Sequence, residues 1–225
     1  MHARHRRRRV DLELMSKTNR YLIACGGHGR VVLDALLSSK QNITGIIDTQ
    51  IQVGSLIFDV PVVGNDDFLL ETVSSTAELV NGFGSIKDTK KRREIFEHWT
   101  KLGFTFVGVK HPSIVIGREC SIDSSVQLMA GVVLQNRIGI GLNVVINTRS
   151  SIDHDVRIGD HVVISPGAVV CGDVKIGQDT FIGAGAVIIQ GIEIGKNCVI
   201  GAGAVVRHNL KDSTIVVSNP ATQLE

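Results

Sequence analysis

From Ile114 to Asn209 the chain divides, without insertion, into sixteen consecutive units of six residues. They begin IVIGRE, CSIDSS, VQLMAG and end CVIGAG, AVVRHN, and the third position is aliphatic every time, from Ile116 and Ile122 through to Val206. A fixed period sustained this long is the mark of a repeat architecture. Positions one and three of each unit lie two apart, so they share one face of a strand. The other positions are rich in Gly, Asn, Asp and Ser, which turn the chain. The pattern predicts a solenoid of short strands whose successive coils stack their backbones about 4.8 Å apart. Only 4% of residues are aromatic and 24 are glycine, which suits a thin strand-built object better than an interior of large interlocking rings.

The preceding segment has a different rhythm. "RYLIACGGHGRVVLDALL" (Arg20–Leu37) reads as strand, glycine turn and helix, and "NITGIIDT" as a second strand ending at Asp48. "GSLIFDVPVVG" reads as a loop, "TAELVNGFGS" as strand plus glycine turn, "DTKKRREIFEHWTKLG" as an amphipathic helix and "FTFVGVKHPS" as a closing strand. Alternation of strand and helix predicts a small parallel α/β unit. Pro112 marks the turn into the solenoid. The expected division is a disordered leader over 1–18, an α/β domain over 19–110 and the β-helix over 111–225.

A glycine-rich turn opening a helix offers backbone N–H groups to phosphate at the helix's positive end. Gly26, Gly27, His28 and Gly29 form such a turn, although "CGGHG" lacks the full dinucleotide fingerprint. Asp48, at the end of the second strand, stands where a carboxylate can accept ribose hydroxyls. About 90 residues make half of a dinucleotide domain, so a nucleotide-sugar fits better than NAD.

The leader "MHARHRRRRVDLELM" carries five arginines against Asp11 and Glu13, so the net charge of +2 belongs to it and the rest of the chain is slightly acidic. A disordered leader is the better reading than a nucleic-acid or membrane-surface anchor. No apolar run reaches membrane-spanning length, so membrane insertion is not expected. Cys25, Cys120, Cys171 and Cys198 are widely spaced and fit no metal pattern, as in a reduced, cytoplasmic protein.

The combination of "GGHGRVVLDAL", "NGFGS", "KKRREIFE", "HPS" and "INTRSSIDHDVRIGDHVVISPGAVVCGDVKIG" resembles the hexapeptide-repeat acetyltransferases of bacterial surface-sugar biosynthesis, which include nucleotide-amino-sugar N-acetyltransferases and sialic-acid O-acetyltransferases. The resemblance covers about residues 19–222. It implies a half-Rossmann-like α/β domain that binds the nucleotide-sugar, followed by a left-handed parallel β-helix of triangular section. It also implies a homotrimer, with acetyl-CoA in a groove between neighbouring prisms and no metal. His154 corresponds to the family's catalytic base. Asp155 is then the orienting carboxylate, provided the pair straddles a corner, since neighbouring strand residues point opposite ways.

With three hexads per coil, residues 18 apart stack in columns. Gly172 then lies one coil above His154, in the place of the family's oxyanion donor. Pro166, Ala184 and Ala202 form a column of small residues with room for a pantetheine arm, and Asn147, one face earlier, is a candidate substrate contact. Many relatives carry a second histidine where "VVISPG" has Val163. The function implied is N-acetylation of a nucleotide-linked 4-amino-4,6-dideoxy sugar. A sialic-acid-type hydroxyl acceptor and a non-catalytic scaffold remain the alternatives at this point.

Overall fold

The structure is a computed structural model and describes residues 19–73, 76–218 of the chain. The arginine-rich leader lies outside the described residues. A three-layer α/β unit leads into a three-faced β-helix.

In the α/β unit, β1 (Arg20–Ile23), β2 (Gly45–Ile47), β3 (Leu56–Ile57), β4 (Val60–Gly64), β5 (Glu78–Asn81) and β6 (Thr105–Phe106) form a sheet ordered β3-β4-β2-β1-β5-β6. It is parallel except for the β3–β4 hairpin. Alternate residues of β1 feed opposite layers. Leu22 packs with Val32, Leu33 and Leu36 of helix α1 (Gly27–Ser38). Tyr21 and Ile23 pack with Leu69 of α2 (Asp66–Thr72) and with Phe96 and Trp99 of α3 (Lys90–Lys101).

The stretch expected as a loop is instead the β3–β4 hairpin. Pro61 and the flanking glycines suggest a break, but the ladder bond there comes from the next residue, whose N–H donates to Ser55 O at 2.8 Å. Phe58 and Asp59 turn the hairpin at φ of 49° and 64°. Helix α2 is likewise absent from the sequence reading. Its signal is local: Asn65 accepts a capping bond from the Phe68 N–H, and Asp66 and Asp67 occupy the positive first turn. The closing strand is two strands in different sheets, β6 in the α/β unit and β7 (Val109–Lys110) in the β-helix.

From β7 onward each hexad contributes a two-residue strand, β8 (Val115–Ile116) to β23 (Val205–Val206), and β24 (Ile215–Val216) closes the end. Three parallel sheets result, here named faces A, B and C. Face A is β24-β22-β19-β16-β13-β10-β7, face B is β23-β20-β17-β14-β11-β8, and face C is β21-β18-β15-β12-β9. Partners are 18 residues apart, as in Val145↔Val163 and Ile152↔Val170. First and third hexad positions fill the interior with Val, Ile, Leu and Ala. The sixth position turns the corners at φ between 53° and 71°, for example at Asn143, Asp155 and Gly167, with Ser125 and Asn209 as exceptions. After Val206 the register shortens, with Val199 pairing to Ile215 across 16 residues.

Ile164 is fully buried in the middle of the coil stack. Ile164→Ala is expected to cost about 2–5 kcal/mol in a denaturant titration, through lost transfer energy and the cavity left behind. Lys175→Ala, at an exposed outer position, is expected to change stability by about 0.5 kcal/mol or less.

Candidate functional site

Two loci carry chemistry. The first is a cleft of about 1220 Å³ between the carboxyl ends of β1, β2 and β5 and face A of the β-helix. Gly26, Gly27, His28 and Asp48 line it from the α/β unit, and Asn147 and Pro166 from the prism. Helix α1 begins here with no side-chain cap. A Cβ on Gly26 or Gly27 would meet nothing within 4 Å, so the open space in front of these amides is free for a ligand. Gly29 does not line the cleft. It is buried, and a Cβ there would overlap Ala24 O, so its smallness serves the packing of α1 against the end of β1.

Asp48 is at the cleft wall, but its carboxylate already accepts the Cys25 N–H at 2.7 Å, the Gln50 N–H at 2.7 Å and the Ile51 N–H at 3.1 Å. It therefore shapes the turn as well as facing the cleft. Sequence reading missed Arg30, Lys91 and Arg92, which add positive charge to the wall. The signal for Lys91 and Arg92 is the basic start of α3, which otherwise reads as a solvated face, and Arg30 follows the glycine turn in the first turn of α1. Arg92 is only 1% exposed. Its Nη1 donates to Asn81 O and Phe83 O, whereas Nε and Nη2 have no partner among the described residues.

A polar seam fixes the α/β unit to face A. His28 Nε2 lies 3.2 Å from Gln127 Oε1, and Gln127 Nε2 donates to Asn81 O. Asn81 Nδ2 donates to Asn143 Oδ1, Asn143 Nδ2 lies 3.1 Å from His161 Nδ1, and Arg93 pairs with Asp179 at 2.7 Å. His161 therefore serves this seam, edge-on to Phe96. Val163 is 5% exposed and lines the cleft in the hydrophobic row Val145, Val163, Phe181. Burial, then the nearby Arg92 charge, lowers the His28 pKa to about 4. Burial also lowers that of His161.

The second locus is the corner between faces B and C. His154 is exposed there, and its Nδ1 lies 2.8 Å from Asp155 Oδ2. The contact is possible because Asp155 takes the left-handed corner conformation, φ 63°, so the two adjacent side chains need not diverge. The His154 N–H donates to Asp153 Oδ1 at 2.8 Å. Gly172 lies directly against the ring from the coil above: a Cβ there would come within 2.7 Å of the His154 Nε2. The Cys171 N–H donates to Ile188 O and the Asp173 N–H to His154 O, so the coil ladder passes over the Gly172 N–H. Hydrogen bonding from Arg137, then from His154, holds the Asp155 carboxyl well below the usual carboxylate range. Pro166, Ala184 and Ala202 form one exposed column, with Gly185 N–H bonded to Pro166 O and Gly203 N–H to Ala184 O. Of the three, Pro166 borders the cleft.

The chemistry at hand is therefore an imidazole in contact with a carboxylate and lying beneath a backbone amide, one strand away from a cleft with a free helix N-terminus. Among the described residues no group of three His, Cys, Asp or Glu could hold a metal ion, and no helix is long and apolar enough to cross a membrane. The four cysteines are unpaired.

Comparison with known proteins adds the following. Residues 20–99 match the PglD N-terminal domain, and residues 173–208 match the bacterial transferase hexapeptide (six repeats). Comparison with the sequences of curated proteins gives no match. Among solved structures, the chain is similar to a histidine-to-asparagine mutant of perosamine N-acetyltransferase from Caulobacter crescentus in complex with CoA and GDP-perosamine. Identity is 30%, with 92% of this chain and 97% of that one covered, at a TM-score of 0.81. The acetyltransferase domain of PglB from Neisseria gonorrhoeae, in complex with acetyl coenzyme A, matches at 29% identity, with 93% and 100% covered and a TM-score of 0.81. WeeI from Acinetobacter baumannii matches at 27% identity, with 92% and 100% covered and a TM-score of 0.79.

The sign of the His28 shift has a measurable outcome. Its folded pKa lies below the ordinary 6.5, so the stability it contributes is present above pH 6.5 and is lost as pH falls toward 4. Denaturant unfolding across that window is expected to lose at most about 3 kcal/mol from this group, and His28→Gln to flatten that part of the slope. His161 adds to the loss in both proteins.

Proposed function

The chain belongs to the hexapeptide-repeat acetyltransferases of bacterial surface-sugar biosynthesis, and from that premise we propose that it transfers the acetyl group of acetyl-CoA to the amino group of a nucleotide-linked 4-amino-4,6-dideoxy sugar. The similarity to perosamine N-acetyltransferase favours an amine over a hydroxyl acceptor. The observation that carries the mechanism is the His154 ring, paired with Asp155 and packed against Gly172.

Asp155 holds the proton of His154 on Nδ1, leaving Nε2 as the base. The sugar amine attacks the thioester carbonyl, and Nε2 takes the proton that the new C–N bond releases. The Gly172 N–H meets the charge developing on the carbonyl oxygen. The C–S bond then breaks, and the imidazolium returns its proton to the departing sulfur. The helix α1 N-terminus at Gly26 and Gly27, with Arg30 and Lys91, supplies positive potential for the sugar's diphosphate, while Asp48 and Asn147 face the rest of the ligand. The exposed column of Pro166, Ala184 and Ala202 leaves a path for the pantetheine arm.

One copy does not bring the two loci together. Asn147 and the cleft lie at one edge of face B, and His154 at the other. The outer surface of face B carries a valine row, with Val115 58%, Val169 39% and Val205 56% exposed. Three parallel copies closing through this face set the His154 edge of one against the Asn147 edge of the next. The cleft and the base then meet between copies of a cytoplasmic homotrimer.

His154→Ala is expected to keep its melting temperature and lose about 10²–10⁴ in turnover; near-normal turnover removes the mechanism. A thermal-shift panel of UDP-, GDP- and CMP-linked sugars, with and without CoA, is expected to single out one nucleotide. Sedimentation is expected to give three times the chain mass. Mixing inactive His154→Ala with inactive Asn147→Asp and refolding them together is expected to restore a fraction of activity, because mixed trimers contain a junction with both native edges. A monomer in solution, or no recovery on mixing, removes the shared site.

A further inference from the structure

The column below the proposed base holds a residue with no part in the mechanism so far. Arg137 lies one coil beneath Asp155, 18 residues earlier. Its Nε donates to Asp155 Oδ1 at 2.7 Å and its Nη2 to Asp155 Oδ2 at 2.8 Å, a two-pronged fork on a single carboxylate. Asp155 Oδ2 is also the atom that meets His154 Nδ1. Both residues stand at left-handed corners, φ 59° and 63°, so the corner geometry aims one side chain up at the next. Arg157 Nη1 in turn donates to Arg137 O, bracing the corner that carries the fork.

We propose that Arg137 is a positioning residue for the reaction, clamping the Asp155 carboxylate so that it presents one oxygen to His154 and holds the imidazole proton on Nδ1. The proposal rests on His154 being the base. A carboxylate bonded to the imidazole alone could rotate about its terminal torsion and offer either oxygen or neither. With both oxygens gripped by a planar guanidinium, rotation breaks two charge-assisted bonds at once. From below, the clamp fixes the Nδ1 side of the ring, and from above Gly172 limits its tilt.

The clamp also carries charge. The ionisable groups around the ring are Asp153 and Asp155 on its own corner, Arg157 on the next strand of the same coil, Cys171 and Asp173 on the coil above, and Arg137 below, with Glu119 beneath Arg137. Arg137 sets its positive charge against the nearest of these carboxylates. Fork geometry and positive charge are therefore separable. A glutamine at 137 removes both, whereas a lysine keeps the charge and loses the fork.

The test is the pH profile of kcat/KM, with kcat and both KM values, for Arg137→Gln, Arg137→Lys and His154→Ala. Because the pair is half exposed, both Arg137 variants are expected to melt within about 2 °C of the parent. Arg137→Gln is expected to lower kcat about tenfold with KM unchanged, and to move the acid limb up by about half a pH unit. Arg137→Lys is expected to lower kcat similarly while leaving the limb in place. Nitrogen-15 spectra of the histidines are expected to show His154 as the Nδ1–H tautomer in the parent and as a mixture in both variants. If His154→Ala is inactive while Arg137→Gln keeps the parent's kcat, pH limb and tautomer, the clamp is a surface ion pair and this inference falls alone. If His154→Ala is itself active, the underlying mechanism falls with it.

Discussion

The constraint on which the molecule depends is the backbone ladder of the β-helix. The Val145 N–H donates to Val162 O, the Asn147 N–H to Ile164 O and the Asp153 N–H to Val170 O, always 17 residues on. Buried peptide groups must be paired, and here each coil can pair only with the coils above and below. The register is therefore fixed, and an inserted residue would displace a whole column of partners. This rigidity turns the chain into a set of vertical columns, and side-chain chemistry follows them: Arg137 under Asp155, Asn143 under His161, Lys175 under Glu193. His154 under Gly172 is the same rule, applied to a ring and a bare Cα.

Corners supply what the strands cannot. Two neighbouring residues on a strand face opposite ways, so an adjacent His and Asp there would never touch. At a left-handed corner the chain reverses its twist within one residue, and His154 and Asp155 meet at 2.8 Å. A non-glycine residue held at positive φ is a small conformational cost, offset here by ladder bonds on both sides of the corner. The α/β unit, by contrast, is held to the prism by side chains. His28, Gln127, Asn81, Asn143 and His161 form one connected seam, and its two imidazoles stay neutral because burial penalises their charged form. The dock between the units is thus sensitive to acid in a way that the ladder is not.

The aliphatic third position reveals the solenoid, and the 18-residue columns then follow from the three-hexad coil. The glycine turn opening α1 is legible because strand, glycines and helix occur in order. The β3–β4 hairpin is not, since Pro61 and the glycines that normally break strands sit where neighbouring residues carry the ladder bonds. Column arithmetic locates Arg137 beneath Asp155, but only coordinates show its fork closing on both carboxylate oxygens. Arg92 is the least legible residue. It lies in a strongly basic segment that reads as a solvated face, yet it is buried against the Asn81 and Phe83 carbonyls. Gly29 illustrates the reverse case: it shares a motif with the cleft glycines, but its own job is packing.

The proposed selectivity and the proposed chemistry therefore fall on parts of the chain with different mechanical freedom. The cleft is walled by turns and strand ends, and a side chain added at Gly26 or Gly27 would meet nothing of the protein within 4 Å. Such positions can change to suit another nucleotide or sugar without disturbing the packing around them. The His154 corner has no such slack. Asp153 holds its backbone, Asp155 its ring, Gly172 the space above and Arg137 the carboxylate below. Any change there is felt one coil up and one coil down, because each residue in a column is also its neighbour's partner. A scaffold of this kind can vary its acceptor through the α/β turns while keeping one acyl-transfer geometry, since the elements proposed to recognise the sugar are not those proposed to hold the base.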